Sequence, residues 1–221
     1  MSSAAPLLQP DLFATPVPRP GPVVDAEDAD LIAGLLAVTP ATPLVAQLLG
    51  RFGSAGGVLA ADPDDLKALG MSRQDIERLG VARRAARCLC RTRVLDRPVL
   101  SHWQALLDYC HVTHAGLRRE ELRALFLDRK NRLIADEVLG TGSVDHVPLY
   151  PREVLRRALA LDATALILVH NHPSGDPTPS ETDIAMTHRL RDSADLFGIT
   201  LHDHLVIGHG RHVSFRSEGL F

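Results

Sequence analysis

Apolar positions recur at helical spacing through the first part of the chain and give way to short strand-like runs beyond residue 120. Leu31, Ile32, Leu35 and Leu36 follow the acids Asp28 and Asp30 and lie on one helical face. Leu44-Val45 and Leu48-Leu49 make a second stripe, which Gly50 or Gly53 ends. Asp62-Pro63 is a helix start, with proline at the first helical position, where no N–H is needed. Leu66 and Leu69 carry that helix to a tight turn at Gly70-Met71-Ser72, and an arginine-rich helix follows over 73–91. Residues 26–95 are therefore expected to form a small all-helical unit.

A further helix is expected over 101–115, with Trp103, Leu106, Leu107, Tyr109 and Cys110 as its apolar positions. Leu122–Asp128 and Leu133–Leu139 read as two strands of a hairpin turned at Arg129-Lys130-Asn131, with Gly140 and Gly142 breaking the second. Pro148 to Pro151 leads into a helix through Val154, Leu155, Ala158 and Leu159. Ala165–Val169 is wholly apolar, as a strand buried on both faces must be. A helix over 180–197 and strands Ile199–Ile207 and His212–Phe215 complete the pattern. Strand, helix, strand is a crossover unit, so residues 98–221 belong to the α/β class.

Residues 1–24 hold six prolines and no apolar periodicity, which predicts a disordered tail over 1–25. The chain has 221 residues, 45% hydrophobic but only 4% aromatic, so its packing must rest on Leu, Val and Ala. The net charge of −3 makes the whole molecule no general polyanion binder. Yet Arg73–Arg97 carries eight arginines against three acids. Three cysteines without a Cys-x-x-Cys imply neither a disulfide framework nor a thiolate zinc site, and they suit a reducing cytoplasm. No apolar run approaches the ~18 residues that span a bilayer.

The densest chemistry lies at 165–183. The buried strand ends in His170-Asn171-His172, and alternation puts both imidazoles on one side. Pro173, Gly175, Pro177 and Pro179 then form a stiff loop. Ser180 reads as the N-cap of the next helix, with Asp183 one turn inside it and able to reach back as a third ligand. Two imidazoles and one carboxylate leave a fourth position for water, the composition of a catalytic zinc site. The second His-x-His, His202-Asp203-His204, has no such loop behind it and reads as strand packing, with a supporting role beside the first pair as the fallback. His111 and His114 read as surface or packing residues.

The string His170-Asn-His172-Pro173 with Ser180-x-x-Asp183 resembles the JAMM (MPN+) motif of zinc-dependent deubiquitinase-type metalloproteases. The longer run His170–Ser180, with Leu125–Asn131, Tyr150–Glu153 and Asp203–Gly208, resembles the bacterial RadC family over residues 98–221. That resemblance implies a three-layer fold, a mixed sheet between helices, related to the cytidine deaminases. It implies His170, His172 and Asp183 as zinc ligands, a glutamate from an earlier strand as general base, and Ser180 as an oxyanion stabiliser. Glu120 and Glu121 both precede the right strand. Alternation groups Glu120 with the apolar Leu122, Ala124 and Phe126, which favours it; Glu137 in the next strand is a further candidate. JAMM isopeptidases carry Ser or Thr between the two histidines, where this chain has Asn171.

Residues 26–95 resemble a helix-hairpin-helix module, in which a Gly-apolar-Gly turn offers backbone N–H groups to a phosphate. Ser72 stands in place of the second glycine. The leading expectation is a zinc-dependent hydrolase of peptide or isopeptide bonds. The alternatives are a DNA-binding protein or metal-dependent nuclease of repair or recombination, touching DNA through Arg73–Arg97, and a zinc-binding scaffold without turnover.

Overall fold

The computed structural model describes residues 25–95, 97–114, 117–142, 149–208 and 210–221. The proline-rich tail, Pro148 and His209 lie outside them.

Five helices open the described chain: α1 (Ala26–Leu36), α2 (Pro43–Phe52), α3 (Ala55–Ala60), α4 (Pro63–Ala68) and α5 (Arg73–Val94). Ile32, Leu36, Val45, Leu48, Leu49, Val58, Leu66 and Leu79 bury their side chains together in a core of their own. The caps are those the sequence announces: Asp62 accepts from Asp64 N–H at the start of α4, and Gly53 ends α2 with φ +83°. The short helix α3 is an addition to the expected elements. Its Gly56-Gly57 opposes helix formation by propensity, but Ser54 caps it by accepting from the Gly57 N–H. Gly57 is required by contact, since a Cβ there would stand 2.1 Å from the Phe52 carbonyl oxygen.

At the hairpin, Met71 is buried and Ser72 caps α5, its hydroxyl accepting from Asp75 N–H and donating to the Asp75 carboxylate at 2.6 Å. The end of α5 leaves the helical core: Val94 and Cys90 pack with α6 (Trp103–His114) instead.

The second half is a five-stranded mixed sheet with strands β1 (Glu121–Leu127), β2 (Leu133–Thr141), β3 (Ala165–Asn171), β4 (Thr200–Ile207) and β5 (His212–Ser214), in the order β2-β1-β3-β4-β5. Only β3 and β4 are parallel. Helices α7 (Pro151–Ala160) and α8 (Glu181–Asp195) cover one face, meeting Leu122, Ala124, Phe126, Leu166 and Leu168. Helix α6 covers the other, meeting Leu125, Leu127, Ile167, Val169 and Leu205. The strands β1 and β3 are thus buried on both sides, which gives the three-layer α/β architecture that the resemblance implies. Strand β2 runs through Gly140 rather than stopping before it, because a bulge between Leu122 and Arg123 absorbs the extra residue. Among the described residues no helix is long and apolar enough to cross a membrane.

One polar cluster is sealed beneath α6. Arg123 Nε donates to Asp136 Oδ1 at 2.7 Å and its Nη1 to Glu121 Oε1 at 2.7 Å, while the Tyr109 hydroxyl donates to Asp136 Oδ2. Burial, then the Asp136 carboxylate, pushes the Tyr109 phenol up. The Arg123 and Asp136 side chains are only 16% and 4% exposed. Removing one partner of such a pair strands the other's charge, at a cost of about 3–5 kcal/mol. Asp136→Ala is accordingly expected to lower the urea-unfolding free energy by about 3 kcal/mol, whereas exposed Glu153→Ala should stay within about 0.5 kcal/mol of wild type. Equal stabilities for the two variants would show that the cluster is not a structural anchor.

Candidate metal centre

Strand β3, central in the sheet, carries His170 at its C-terminal end, with His172 just beyond it, and the loop that follows is stitched to itself. The His172 carbonyl accepts from Gly175 N–H, the Ser174 hydroxyl accepts from Asp176 N–H, and Asp176 Oδ1 accepts from the Thr178 hydroxyl at 2.8 Å. Gly208, just past β4, lets the loop lie close, since a Cβ there would meet the Gly175 oxygen at 2.3 Å. The loop ends at Ser180, which caps α8 in a capping box: its hydroxyl accepts from Asp183 N–H, and Asp183 Oδ2 accepts from Ser180 N–H at 2.8 Å. That reciprocal cap turns the Asp183 carboxylate back toward the histidines.

Among the described residues His170, His172 and Asp183 are the one group of three whose ligand atoms gather, all within 4.8 Å of one another. His170 Nε2 and His172 Nε2 are 3.0 Å apart. Each lies 3.7 Å from an Asp183 oxygen, His170 from Oδ1 and His172 from Oδ2.

The hydrogen bonds behind the rings decide which nitrogens carry protons. The Thr187 hydroxyl has one proton, which goes to the Asp183 carbonyl at 2.6 Å. Its oxygen therefore accepts from His204 Nδ1, also at 2.6 Å. With Nδ1 protonated, neutral His204 has a bare Nε2, which accepts from His170 Nδ1 at 2.7 Å. His170 is left with its lone pair on Nε2. The Nδ1 of His172 donates to the Asp176 carbonyl at 2.8 Å, so its neutral ring would also present a lone pair on Nε2. Two lone pairs then face each other across 3.0 Å with a carboxylate beside them. A proton relieves one nitrogen; a cation relieves both and the carboxylate as well. The donor set fits a divalent metal with imidazole and carboxylate ligands.

The electrostatics differ between the two rings. Burial pushes His170 down to about 4, against the raising effect of Asp183, so its ring is neutral at physiological pH. Burial likewise holds His204 well below its ordinary value. The contact with Asp183 raises His172, helped by the Asp176 carbonyl and the Glu120 charge. Burial works to raise the Asp183 carboxyl, but His172, His170 and Ser180 outweigh it and hold it well below the usual carboxylate range.

The candidate bases separate. Leu122 is the strand partner of His170, so Glu120, two residues earlier, falls on the His170 face, near enough to act on His172. Glu121 is tied to Arg123 on the opposite face. Glu137 is clamped by Arg157, with contacts of 2.5–3.0 Å, beside α7. Ser180 stands at the centre, with its proton on Asp183 Oδ2 at 2.6 Å.

Asn171 takes a part that the sequence did not give it, and of the second histidine pair only His204 takes the fallback role. His204 is buried behind His170, while His202 turns to Asn131 at 2.7 Å. A β-bulge explains the split: Leu166 and Ile167 face Leu201 and Asp203, so His202 is the extra residue and the pair does not share a face. Nothing in the local sequence marks that bulge. Asn171 is buried and bonds to the segment before β1. His111 meets His212 at 3.3 Å, and His114 is buried in the packing.

Residues 100–220 match the family model described as RadC-like JAB domain. A UPF0758 protein of Rhodobacter capsulatus is 61% identical over 179 residues, covering 80% of this chain and 84% of its own length. A UPF0758 protein of Ruegeria pomeroyi is 53% identical over 178 residues, 80% of each chain. Both stretches are longer than residues 98–221, so the likeness reaches into the helical unit. The two names carry no activity. The chain belongs to the RadC family, whose JAB domain is of the JAMM-like, metal-dependent hydrolase type.

Proposed function

We propose that this protein is a cytoplasmic zinc-dependent hydrolase that cleaves a peptide or isopeptide bond, with residues 98–221 as the hydrolase unit and 26–95 as a helical unit joined to it. The observation that carries the reading is the gathering of His170 Nε2 and His172 Nε2, 3.0 Å apart, beside the Asp183 carboxylate. His170, His172 and Asp183 would hold a zinc ion, which when bound would supply a Lewis acid able to bring the pKa of water to about 7 and polarise a carbonyl. Glu120 takes the proton of the attacking water and passes it to the leaving amine. Ser180 offers its hydroxyl to the oxygen that gains charge, for which it must turn away from Asp183 Oδ2. His204 and Thr187 hold His170 in the tautomer that presents Nε2.

A second reading, binding to DNA, draws on α5, where Arg84, Arg87 and Arg91 are exposed and have no ion-pair partner among the described residues. The hairpin turn does not favour it. Its helix start is already capped by Ser72, and the Asp75 carboxylate sits where a phosphate would have to come.

Protein purified without added metal is expected to carry about one zinc per chain. His172→Ala should lose it, and His204→Phe should weaken zinc binding by about 10–100-fold. Folded wild type without a transition metal would contradict the centre; full affinity in His204→Phe would contradict the relay behind it. Profiling against peptides, isopeptide-linked substrates and single- and double-stranded DNA, with and without chelator, tests the reaction class. Cleavage of amide bonds that chelator abolishes is expected; chelator-sensitive cleavage of DNA would replace this reading. On the amide substrate, Glu120→Gln should keep its zinc and lose about 10²–10⁴-fold in turnover, while Glu121→Gln should change turnover little. The reverse order would move the base to Glu121. For the second reading, DNA affinity should fall steeply with salt and vanish when Arg84, Arg87 and Arg91 are changed to Glu; no binding at low salt removes it.

A further inference from the structure

Asn171 sits between two proposed metal ligands but on the other side of the strand. The residue is 2% exposed, and both ends of its amide are hydrogen-bonded to backbone. Oδ1 accepts from Glu121 N–H at 3.0 Å. Nδ2 donates to the Arg119 carbonyl at 3.0 Å and, more weakly, to the Leu117 carbonyl at 3.4 Å. These bonds fall on the backbone groups immediately before and after Glu120. The Glu120 carbonyl itself accepts from Gly142 N–H at 2.9 Å, at the far end of β2. The two peptide groups that flank Glu120 are thus held at three backbone atoms, and two of those three anchors come from one side chain.

The position of the clamp follows from register. Leu122 is the partner of His170, so the residue opposite Asn171 is Glu121, the first of β1. Here β3 stops supplying backbone partners to β1, because its own chain turns into the proline loop and His172 N–H goes to the Ile207 carbonyl. The Asn171 amide has both a donor and an acceptor and continues the ladder one step beyond the strand. A serine hydroxyl can also donate and accept, but it has one oxygen, set closer to the backbone, where the amide presents Oδ1 and Nδ2 at two separate points, so it does not reach both Glu121 N–H and the Arg119 carbonyl. The same three residues that present two imidazoles on one face therefore fix, through the opposite face, the backbone that carries Glu120.

We propose that Asn171 is a positioning residue: its amide bonds to Arg119 and Glu121 hold Glu120 at the metal centre, without contact to metal or substrate. The proposal rests on the reading of Glu120 as general base. A base is effective only within hydrogen-bond reach of the proton it moves, and a displacement of about 1 Å can cost on the order of 10²-fold. Asn171 thereby ties the base and two ligands into one segment of strand.

The test combines a double-mutant cycle with amide hydrogen exchange on the zinc-loaded full chain. Asn171→Ala is expected to retain zinc at the wild-type level and to speed exchange of the Glu121 amide by at least about tenfold. On the substrate found by profiling, it should lower kcat toward the Glu120→Gln value with KM little changed, and the double variant should be no slower than Glu120→Gln alone. Multiplying losses in the double variant, or unchanged exchange at Glu121, would overturn the proposal. Should Asn171→Ala fail to fold, Asn171→Ser removes the same bridging geometry with a polar side chain, and the same outcomes apply. If Glu120→Gln itself is fully active, the base assignment has failed rather than the clamp, and faster Glu121 exchange with zinc retained still reports the clamp.

Discussion

Two imidazole nitrogens with their lone pairs turned toward each other, in a nearly dry site, are an unfavourable arrangement unless something positive lies between them. The hydrogen bonds behind the two rings favour that arrangement. The Thr187 hydroxyl spends its one proton on a helix carbonyl. That choice fixes His204, which fixes His170. The Asp176 carbonyl fixes His172 independently. The capping box of α8 then brings a carboxylate to the same point. Buried polar networks are costly when half satisfied and specifying when complete, and the donor set of this one suits a divalent cation.

The fold serves that constraint. Strand β3 is buried on both faces, so its end is a rigid platform. It meets β1 antiparallel and β4 parallel, which brings Glu120 to it from one side and His204 from the other. The bulge in β4 separates His202 from His204 and sends only the latter behind His170. The polar cluster of Arg123, Asp136 and Glu121 lies on the opposite face. It accounts for why two adjacent glutamates before the same strand have different surroundings.

The gathering of His170, His172 and Asp183 was legible because it rests on local rules: alternation in a strand, proline stiffness in a loop, a capped helix start. The strands and the helix starts at Pro63 and Pro151 were legible for the same reason. What was not legible depends on long-range register. Helix α3 forms despite two glycines because tertiary contact at Phe52 admits nothing larger than Gly57. Gly140 was read as a breaker, yet a bulge keeps it in β2. The split of His202 from His204 needs the pairing of β4 with β3, which no window of sequence contains. Asn171 looked like a departure from an isopeptidase pattern. Its partners lie about fifty residues upstream, at Arg119 and Glu121, so its bonds could not be read from its neighbours.

The most direct test of the account is the protonation state of the ring nitrogens, measured by long-range proton–nitrogen NMR on histidine-labelled, metal-free protein near neutral pH. The account predicts that His204 and His170 are both neutral and protonated on Nδ1, and that one equivalent of zinc shifts the Nε2 signals of His170 and His172 while leaving the Nδ1 protons of His170 and His204 in place. A His170 ring protonated on Nε2, or Nε2 signals that zinc does not move, would contradict it.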